Sequence, residues 1–324
     1  MAGPSILYIS RADVERVNLP MREIIDALIA MFREKGEGRT EMPPKPGIHP
    51  RPDAFIHAMP AYIPSLESAG IKWVAGYPQN IEKGLPYISG LLILNDPETG
   101  FPLAVMDCTW ITAKRTGAAT AVAAKYLARP DSSSVGVVAC GVQGRSNLEA
   151  LACLYSLKTV KAYDIRPSVA REYAEEMSRK LGIRVDPVTS TEAAVKNLDI
   201  VVTSGPILKR PLPTIPAGWL AEGSFASLVD YDSYWTGAAL READKLATDD
   251  KAQMEYTRCA GYFRETPEPY ADLGELAAGK EPGRESSEER TITINLGLAL
   301  DDMATAILIY RRAKAMGIGL ELPL

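Results

Sequence analysis

A lysine at position 72 interrupts an apolar run, Gly70-Ile-Lys-Trp-Val74. Burying an ammonium is costly unless something pairs with it. A buried lysine also titrates low enough to give or take a proton near neutrality. The bland alternative is a strand-edge lysine whose head reaches water. Arg115 lies in Thr112-Ala-Lys-Arg-Thr-Gly-Ala118, at the start of an alanine-rich stretch with little else polar. A guanidinium there could hold a carboxylate through two parallel hydrogen bonds, or stand exposed in a first helical turn. Its neighbour Thr116 is placed to reach a phosphate. Two acids, Asp230 and Asp232, follow an apolar run over 225–229. A carboxyl group at a strand end can relay a proton, hold an amine or simply begin a turn.

A second group suits a nucleotide. The β-branched run 134–140 leads into Gly141-Val-Gln-Gly144 and then a helical pattern. A full G-x-G-x-x-G would place glycines at 139, 141 and 144, and the first of these is Ala139. Gly141 lets backbone approach a pyrophosphate, Gly144 lets a helix pack closely on the strand, and free N–H groups at the helix start favour phosphate. The next strand ends in Asp164, 23 residues after Gly141, where an acid would accept hydrogen bonds from ribose hydroxyls. Its charge repels a 2′-phosphate and favours NAD(H). Arg166, two residues on, softens that preference toward NADP(H).

The elements that must position these residues change character near 112. Before it, a helix is expected over 21–35, with Ile24, Ile25, Leu28, Ile29 and Phe32 on one face. Strands are expected over 54–61, 70–75 and 87–94, the last meeting 102–107 across Asn95-Asp-Pro-Glu-Thr-Gly100 as a hairpin. From 112 onward helix and strand alternate. Helices are expected over 112–128, 144–157 and 167–181, and strands over 134–140, 159–164, 198–204, 224–229 and 245–248. This alternation predicts a parallel sheet covered on both faces. A long helix from about 297 to 316 should cross back to the first domain. The charged segment 281–290 reads as a solvated loop.

Composition removes several function classes. The net charge is −5 and no Lys/Arg block suggests nucleic acid. Neither a run of 18 apolar residues nor a signal pattern is visible, so neither a membrane span nor secretion is expected. Cys108, Cys140, Cys153 and Cys259 fit neither a zinc site nor a CxxC pair, and read as reduced, buried thiols of a cytoplasmic protein. His49 and His57 are the only histidines, which excludes a His-rich metal centre, and no metal is expected. No G-x-S-x-G elbow supports a serine hydrolase.

The motifs are Met42-Pro-Pro-Lys45, Ala58-Met-Pro-Ala61, Ala69-Gly-Ile-Lys-Trp-Val74, the 95–104 hairpin, Arg115-Thr-Gly-Ala118, Cys140-Gly-Val-Gln143 and Gly297-Leu-Ala-Leu-Asp-Asp302. Taken together they resemble the ornithine cyclodeaminase/mu-crystallin family, which includes archaeal alanine dehydrogenase. The resemblance implies an α/β fold: a Rossmann-type doubly wound parallel sheet, residues 113–297, inserted in a discontinuous α+β substrate and dimerisation domain, residues 1–112 plus 298–324. It implies a homodimer. It makes Lys72 the catalytic lysine, Arg115 the carboxylate holder, Thr116 a cofactor contact and Lys45 a basic residue near substrate. Counting from Gly223 it places the catalytic acid on Asp232, with Asp230 the fallback. Gly141, Val142, Gln143, Asp164, Arg166, Thr203, Ser204 and Asn295 complete the expected cofactor set. Three departures stand out: Ala139 replaces a glycine, His57 replaces a substrate-binding arginine, and Ser233-Tyr-Trp-Thr-Gly237 replaces a Pro-Gly-Lys stretch.

The expected activity is a reductase or dehydrogenase that interconverts an imino or 2-oxo acid, or a cyclic imine, with the corresponding amino acid. The alternatives are an ammonia-releasing cyclodeaminase and a non-catalytic nucleotide and small-ligand binder.

Overall fold

The computed structural model describes residues 4–324. It has two units, one running up to Arg115 and resuming at Leu298, the other spanning Thr116–Gly297. In chain order the first unit holds β1 (Ser5–Ile9), α1 (Arg11–Val17), α2 (Met21–Gly36), β2 (Gly47–Arg51), β3 (Ala54–Ile63), β4 (Ser68–Gly76), β5 (Ile88–Asn95) and β6 (Pro102–Asp107). Helix α3 (Thr109–Leu127) carries the chain into the second unit. There follow β7 (Ser134–Val138), α4 (Val142–Ala152), β8 (Thr159–Tyr163), α5 (Pro167–Leu181), β9 (Val185–Pro187), β10 (Ile200–Thr203), β11 (Phe225–Leu228), α6 (Gly237–Leu240), β12 (Lys245–Thr248), α7 (Lys251–Cys259), β13 (Ala271–Asp272), α8 (Leu273–Ala277) and β14 (Thr291–Ile294). Helix α9 (Ala299–Met316) and β15 (Leu320–Pro323) complete the first unit.

The first unit is a mixed seven-stranded sheet in the order β15-β1-β6-β5-β4-β3-β2, with only β1 and β6 parallel. Alternation sorts its side chains. Met59, Leu92, Leu94, Ala104 and Met106 face inward and are buried, and α9 packs across β3, β4 and β5. Ile71, Trp73, Leu91 and Ile93 occupy the alternate positions, and Trp73 and Leu91 are each 47% exposed.

The second unit is an eight-stranded sheet, β13-β12-β14-β11-β10-β7-β8-β9, and each of these neighbouring pairs is parallel. The order reverses between β7 and β10, so the carboxyl ends of those strands open at a topological switch point, the usual ligand site of such sheets. Helix α5 begins at Pro167 and ends on left-handed Gly182, as its sequence signals require.

The alternation of strand and helix is as expected, with corrections. The fourth helix begins at Val142 and stops at Ala152, short of the expected 157. Strands β1, β2, β9, β13, β14 and β15 and helices α1, α6, α7 and α8 were not anticipated. The segment 281–290 is more than a solvated loop. Arg284 donates to the carbonyls of Leu127, Ser224 and Glu289, and Lys245 donates to the Gly283 carbonyl and the Glu285 carboxylate. These bonds tie the segment to the end of α3, to the residue before β11 and to the start of β12. Of the cysteines, Cys108 and Cys140 are buried, Cys153 is partly buried and Cys259 is exposed, and all four are free thiols.

Ala139 adopts φ +72°, in the left-handed region. Its N–H donates to the Tyr163 carbonyl and its carbonyl accepts the Ser204 hydroxyl, so the turn is held despite the strain. An L-residue there costs roughly 1–2 kcal/mol, and glycine returns part of that as unfolded-chain entropy. Ala139→Gly should therefore stabilise the protein by about 0.5 kcal/mol in urea unfolding. A loss of stability would show that the methyl contributes packing that outweighs the strain.

Candidate functional site

In the first unit the register aligns Met59, Lys72, Leu92 and Met106 in one inward row across β3, β4, β5 and β6. Lys72 is thus an ammonium in an apolar row, 1% exposed, and the strand-edge alternative is excluded. Its counter-charge comes from the first turn of α9. Lys72 Nζ lies 2.6 Å from Asp302 Oδ2 and donates to Thr112 Oγ1 at 3.4 Å. Arg115 Nε donates to the other oxygen, Asp302 Oδ1, at 3.0 Å, and its Nη1 lies 3.6 Å from Asp301 Oδ2. Two cations and two carboxylates thus form one buried cluster. Burial pushes the Lys72 ammonium below its ordinary pKa; Asp302 opposes that and Arg115 adds to it. The nearby Cys108 thiol is pushed up to about 11, chiefly by burial.

His57 sits diagonal to Lys72, opposite Val74 on β4. It stacks on Phe55 at 4.2 Å. Burial first, then Lys45, His49 and Lys72, lower its pKa to about 3. The structure therefore gathers Lys45, His57, Lys72 and Arg115 in one region of this unit. The acids Asp301 and Asp302 were quoted within a motif, but no role was foreseen for them. The available signal was two adjacent acids opening an otherwise apolar helix.

In the second unit the expected nucleotide residues, apart from Thr116 on α3, lie at or near strand carboxyl ends. Gly141 caps α4 without a side-chain hydrogen bond, and a Cβ there would meet nothing within 4 Å. A Cβ on Gly144 would fall 2.7 Å from the Ala139 carbonyl, so only glycine allows this helix–strand approach. Val142 is 65% exposed, an apolar residue left open beside the turn. Asp164 accepts the Cys140 and Arg166 N–H groups, both at 3.0 Å, and the Arg166 side chain lies 3.9 Å away. Gln143 accepts the Ser146 hydroxyl through Oε1 at 3.3 Å. Ser204 ties the end of β10 to the glycine turn through Ala139. Thr116 is buried, beside Gly117, which packs against the Ser146 carbonyl of α4. Asn295 is buried and donates to Ser227 and Thr120.

The two candidate acids part company. Asp230 is fully buried and accepts the Thr203 hydroxyl at 2.8 Å and the Gly205 N–H at 2.9 Å. Burial pushes its pKa up to about 7 against those two hydrogen bonds. Asp232 instead accepts the Thr266 hydroxyl at 3.0 Å, near Arg258 and Glu265. Of the two, Asp230 is the one that shares a hydrogen-bond group with Thr203. Trp235 is a core residue whose Nε1 donates to Thr203 Oγ1 at 3.3 Å. Tyr234 packs on Gly205, where a Cβ would meet its hydroxyl at 2.1 Å.

A parallel doubly wound sheet with a glycine turn at its switch point is the dinucleotide-binding class of fold. The chain belongs to the ornithine cyclodeaminase/mu-crystallin family, whose model matches residues 7–317. An alanine dehydrogenase of Archaeoglobus fulgidus is 36% identical over 325 residues, covering 97% of each chain. Among solved structures, a Delta(1)-pyrroline-2-carboxylate reductase of Thermococcus litoralis in complex with NADH and L-proline matches with TM-score 0.89 at 36% identity, covering 98% of this chain and 100% of that one. An archaeal alanine dehydrogenase dimer with bound NAD gives 0.88 at 34% identity, covering 98% and 99%. No helix among the described residues is long and apolar enough to cross a membrane.

A histidine whose folded pKa is about 3 stays neutral where the unfolded chain takes a proton, below roughly 6.5. The folded state therefore loses stability as pH falls through that window. His57→Gln should show a smaller drop in unfolding free energy between pH 7 and pH 5 than the parent. An equal drop in both proteins would mean that the imidazole is protonated in the folded state.

Proposed function

We propose that this chain is an NAD(H)-dependent reductase that interconverts a small imino or 2-oxo acid, or a cyclic imine, with the corresponding amino acid. One observation carries the proposal: the ammonium of Lys72 is held against a carboxylate inside an apolar sheet row. An ion pair in such a place is weak evidence for stability, since apolar residues would pack there as well or better. Displaced titration in a buried cluster is instead a mark of chemistry. The named activities of similar proteins, on alanine and on pyrroline-2-carboxylate, support the same reading.

The second unit's residues fit a dinucleotide. The uncapped start of α4, the open space at Gly141 and the close approach at Gly144 suit a pyrophosphate, held by the Gly141, Val142 and Gln143 backbone. Thr116, Thr203, Ser204 and Asn295 are the further contacts. Asp164 faces the ribose and favours NAD(H) over NADP(H), with Arg166 as the moderating cation. When bound, the cofactor supplies or accepts the hydride.

In the first unit, Arg115 orients the substrate carboxylate, using the guanidinium's five donors, with Lys45 adding positive potential and His57 offering a neutral imidazole. Lys72 stands by the reacting nitrogen and holds or delivers its proton. Asp230, rather than Asp232, is the group that exchanges a proton near neutrality. Reduction thus adds one hydride to carbon and one proton to nitrogen. Free thiols and a need for reduced nicotinamide support a cytoplasmic location. The active unit is a homodimer, paired through the apolar outward face around Trp73 and Leu91, as a family dimer is known.

The test is NADH absorbance with a panel of cyclic imines and of 2-oxo acids plus ammonia or methylamine. The parent should consume NADH, and Lys72→Ala should lose about 100-fold or more in turnover. Reductive turnover should fall as Asp230 ionises above pH 7, and Asp230→Asn should lack that limb. Ammonia release from ornithine with no net NADH change would identify a cyclodeaminase instead. For assembly, Trp73→Glu should turn a dimer into a monomer by sedimentation; a monomeric parent would remove that part of the proposal.

A further inference from the structure

We propose that Asp302 is a positioning residue for this reaction: one buried carboxylate holds the Lys72 ammonium with one oxygen and the Arg115 guanidinium with the other, and so sets the spacing of the two cations that meet the substrate. The proposal rests on the reading of Lys72 and Arg115 given above.

The geometry is specific. Asp302 is 0% exposed, and its two oxygens engage different cations at 2.6 and 3.0 Å. The cations come from separate elements, β4 and α3, which share no strand pairing. The carboxylate comes from a third element, α9. The first turn of a helix suits an anion, because its N–H groups and dipole are positive there. The turn is also pinned: the Ser68 hydroxyl on β4 donates to the Met303 carbonyl at 2.9 Å. The Leu298 N–H donates to Asp301 Oδ2 at 3.1 Å, which fixes the helix start. Asp302 can therefore move little relative to Lys72.

Asp302 also governs charge. The groups facing Lys72 are Asp302 from α9, Arg115 and Thr112 from α3, Cys108 just before that helix, and His57 from β3, itself beside Lys45. Burial and Arg115 both favour the neutral amine, and Asp302 opposes them. Removing the charge of Asp302 while keeping its shape should release the proton from Lys72 at lower pH.

Two variants separate charge from spacing. Asp302→Asn keeps size and removes charge. Asp302→Glu keeps charge and shifts the cations. The charge readout does not need turnover: the 13Cε resonance of Lys72 in lysine-labelled protein, assigned by its absence in Lys72→Met, is followed against pH. The midpoint should fall by about one unit or more in Asp302→Asn and stay near the parent value in Asp302→Glu. Turnover of Delta(1)-pyrroline-2-carboxylate with NADH should fall about tenfold or more in Asp302→Glu through kcat, with NADH affinity unchanged. Parent-like titration in Asp302→Asn, or parent-like kcat in Asp302→Glu, would overturn the proposal. Should Asp302→Asn fail to fold, the kcat of Asp302→Glu decides it. If the parent itself turns over no substrate in the panel, the functional reading fails while the titration still judges the role of Asp302.

Discussion

An ammonium ion lies between Met59 and Leu92 in the interior of a sheet, and much of the first unit is arranged around that fact. Without a counter-charge the group would lose its proton or destabilise the fold by several kcal/mol. The counter-charge is Asp302, and it arrives only because the chain returns after the whole second unit to lay α9 across β3, β4 and β5. The discontinuity of the first unit thus has a chemical consequence. The last helix is both the cover of the sheet and the source of its carboxylates. Arg115 enters the same cluster from α3, the helix that carries the chain into the second unit. One helix thus begins at the charged cluster and continues into the nucleotide-type unit, where Thr116 and Gly117 follow directly.

The second unit solves a different problem, the placing of backbone N–H groups where a phosphate can reach them. The solution relies on close approach: Gly144 against the Ala139 carbonyl, Gly117 against the Ser146 carbonyl. Ala139 accepts a left-handed conformation that a glycine would take without strain, and hydrogen bonds to the Tyr163 carbonyl and from the Ser204 hydroxyl fix it there. Around the strand ends several polar groups satisfy one another: Asp164 with Cys140, Asp230 with Thr203 and Gly205, Asn295 with Ser227. Such satisfied networks are rigid, and rigidity is what a site for a large, charged cofactor requires.

Much of this was legible in the residues themselves. The apolar run around Lys72, the turn from 141 to 144 and the acid at 164 carry local signatures, because spacing along one strand or helix decides what they can do. Proline at 167 and glycine at 182 marked α5 to the residue for the same reason. The pairing of Lys72 with Asp302 was not legible, since 230 positions separate them and only the tertiary fold brings them together. The preference for Asp232 over Asp230 rested only on counting from Gly223. The two acids differ by two residues after a strand end, and only hydrogen bonds to Thr203 or Thr266 tell them apart. Strands β1, β2, β14 and β15 are short or lack clean alternation, so their existence rests on neighbours in the sheet. The segment 281–290 read as solvated because composition cannot show that Arg284 reaches carbonyls on β11 and α3 termini.

The central claim is that the Lys72 ammonium meets the substrate. The most direct measurement is a crystal structure of the protein with NADH and pyrrole-2-carboxylate, a planar analogue of a cyclic imino acid. The account predicts Lys72 Nζ within hydrogen-bond distance, about 3 Å, of the ligand nitrogen or a carboxylate oxygen. A bound ligand with Lys72 still wholly enclosed and remote from it would contradict the account.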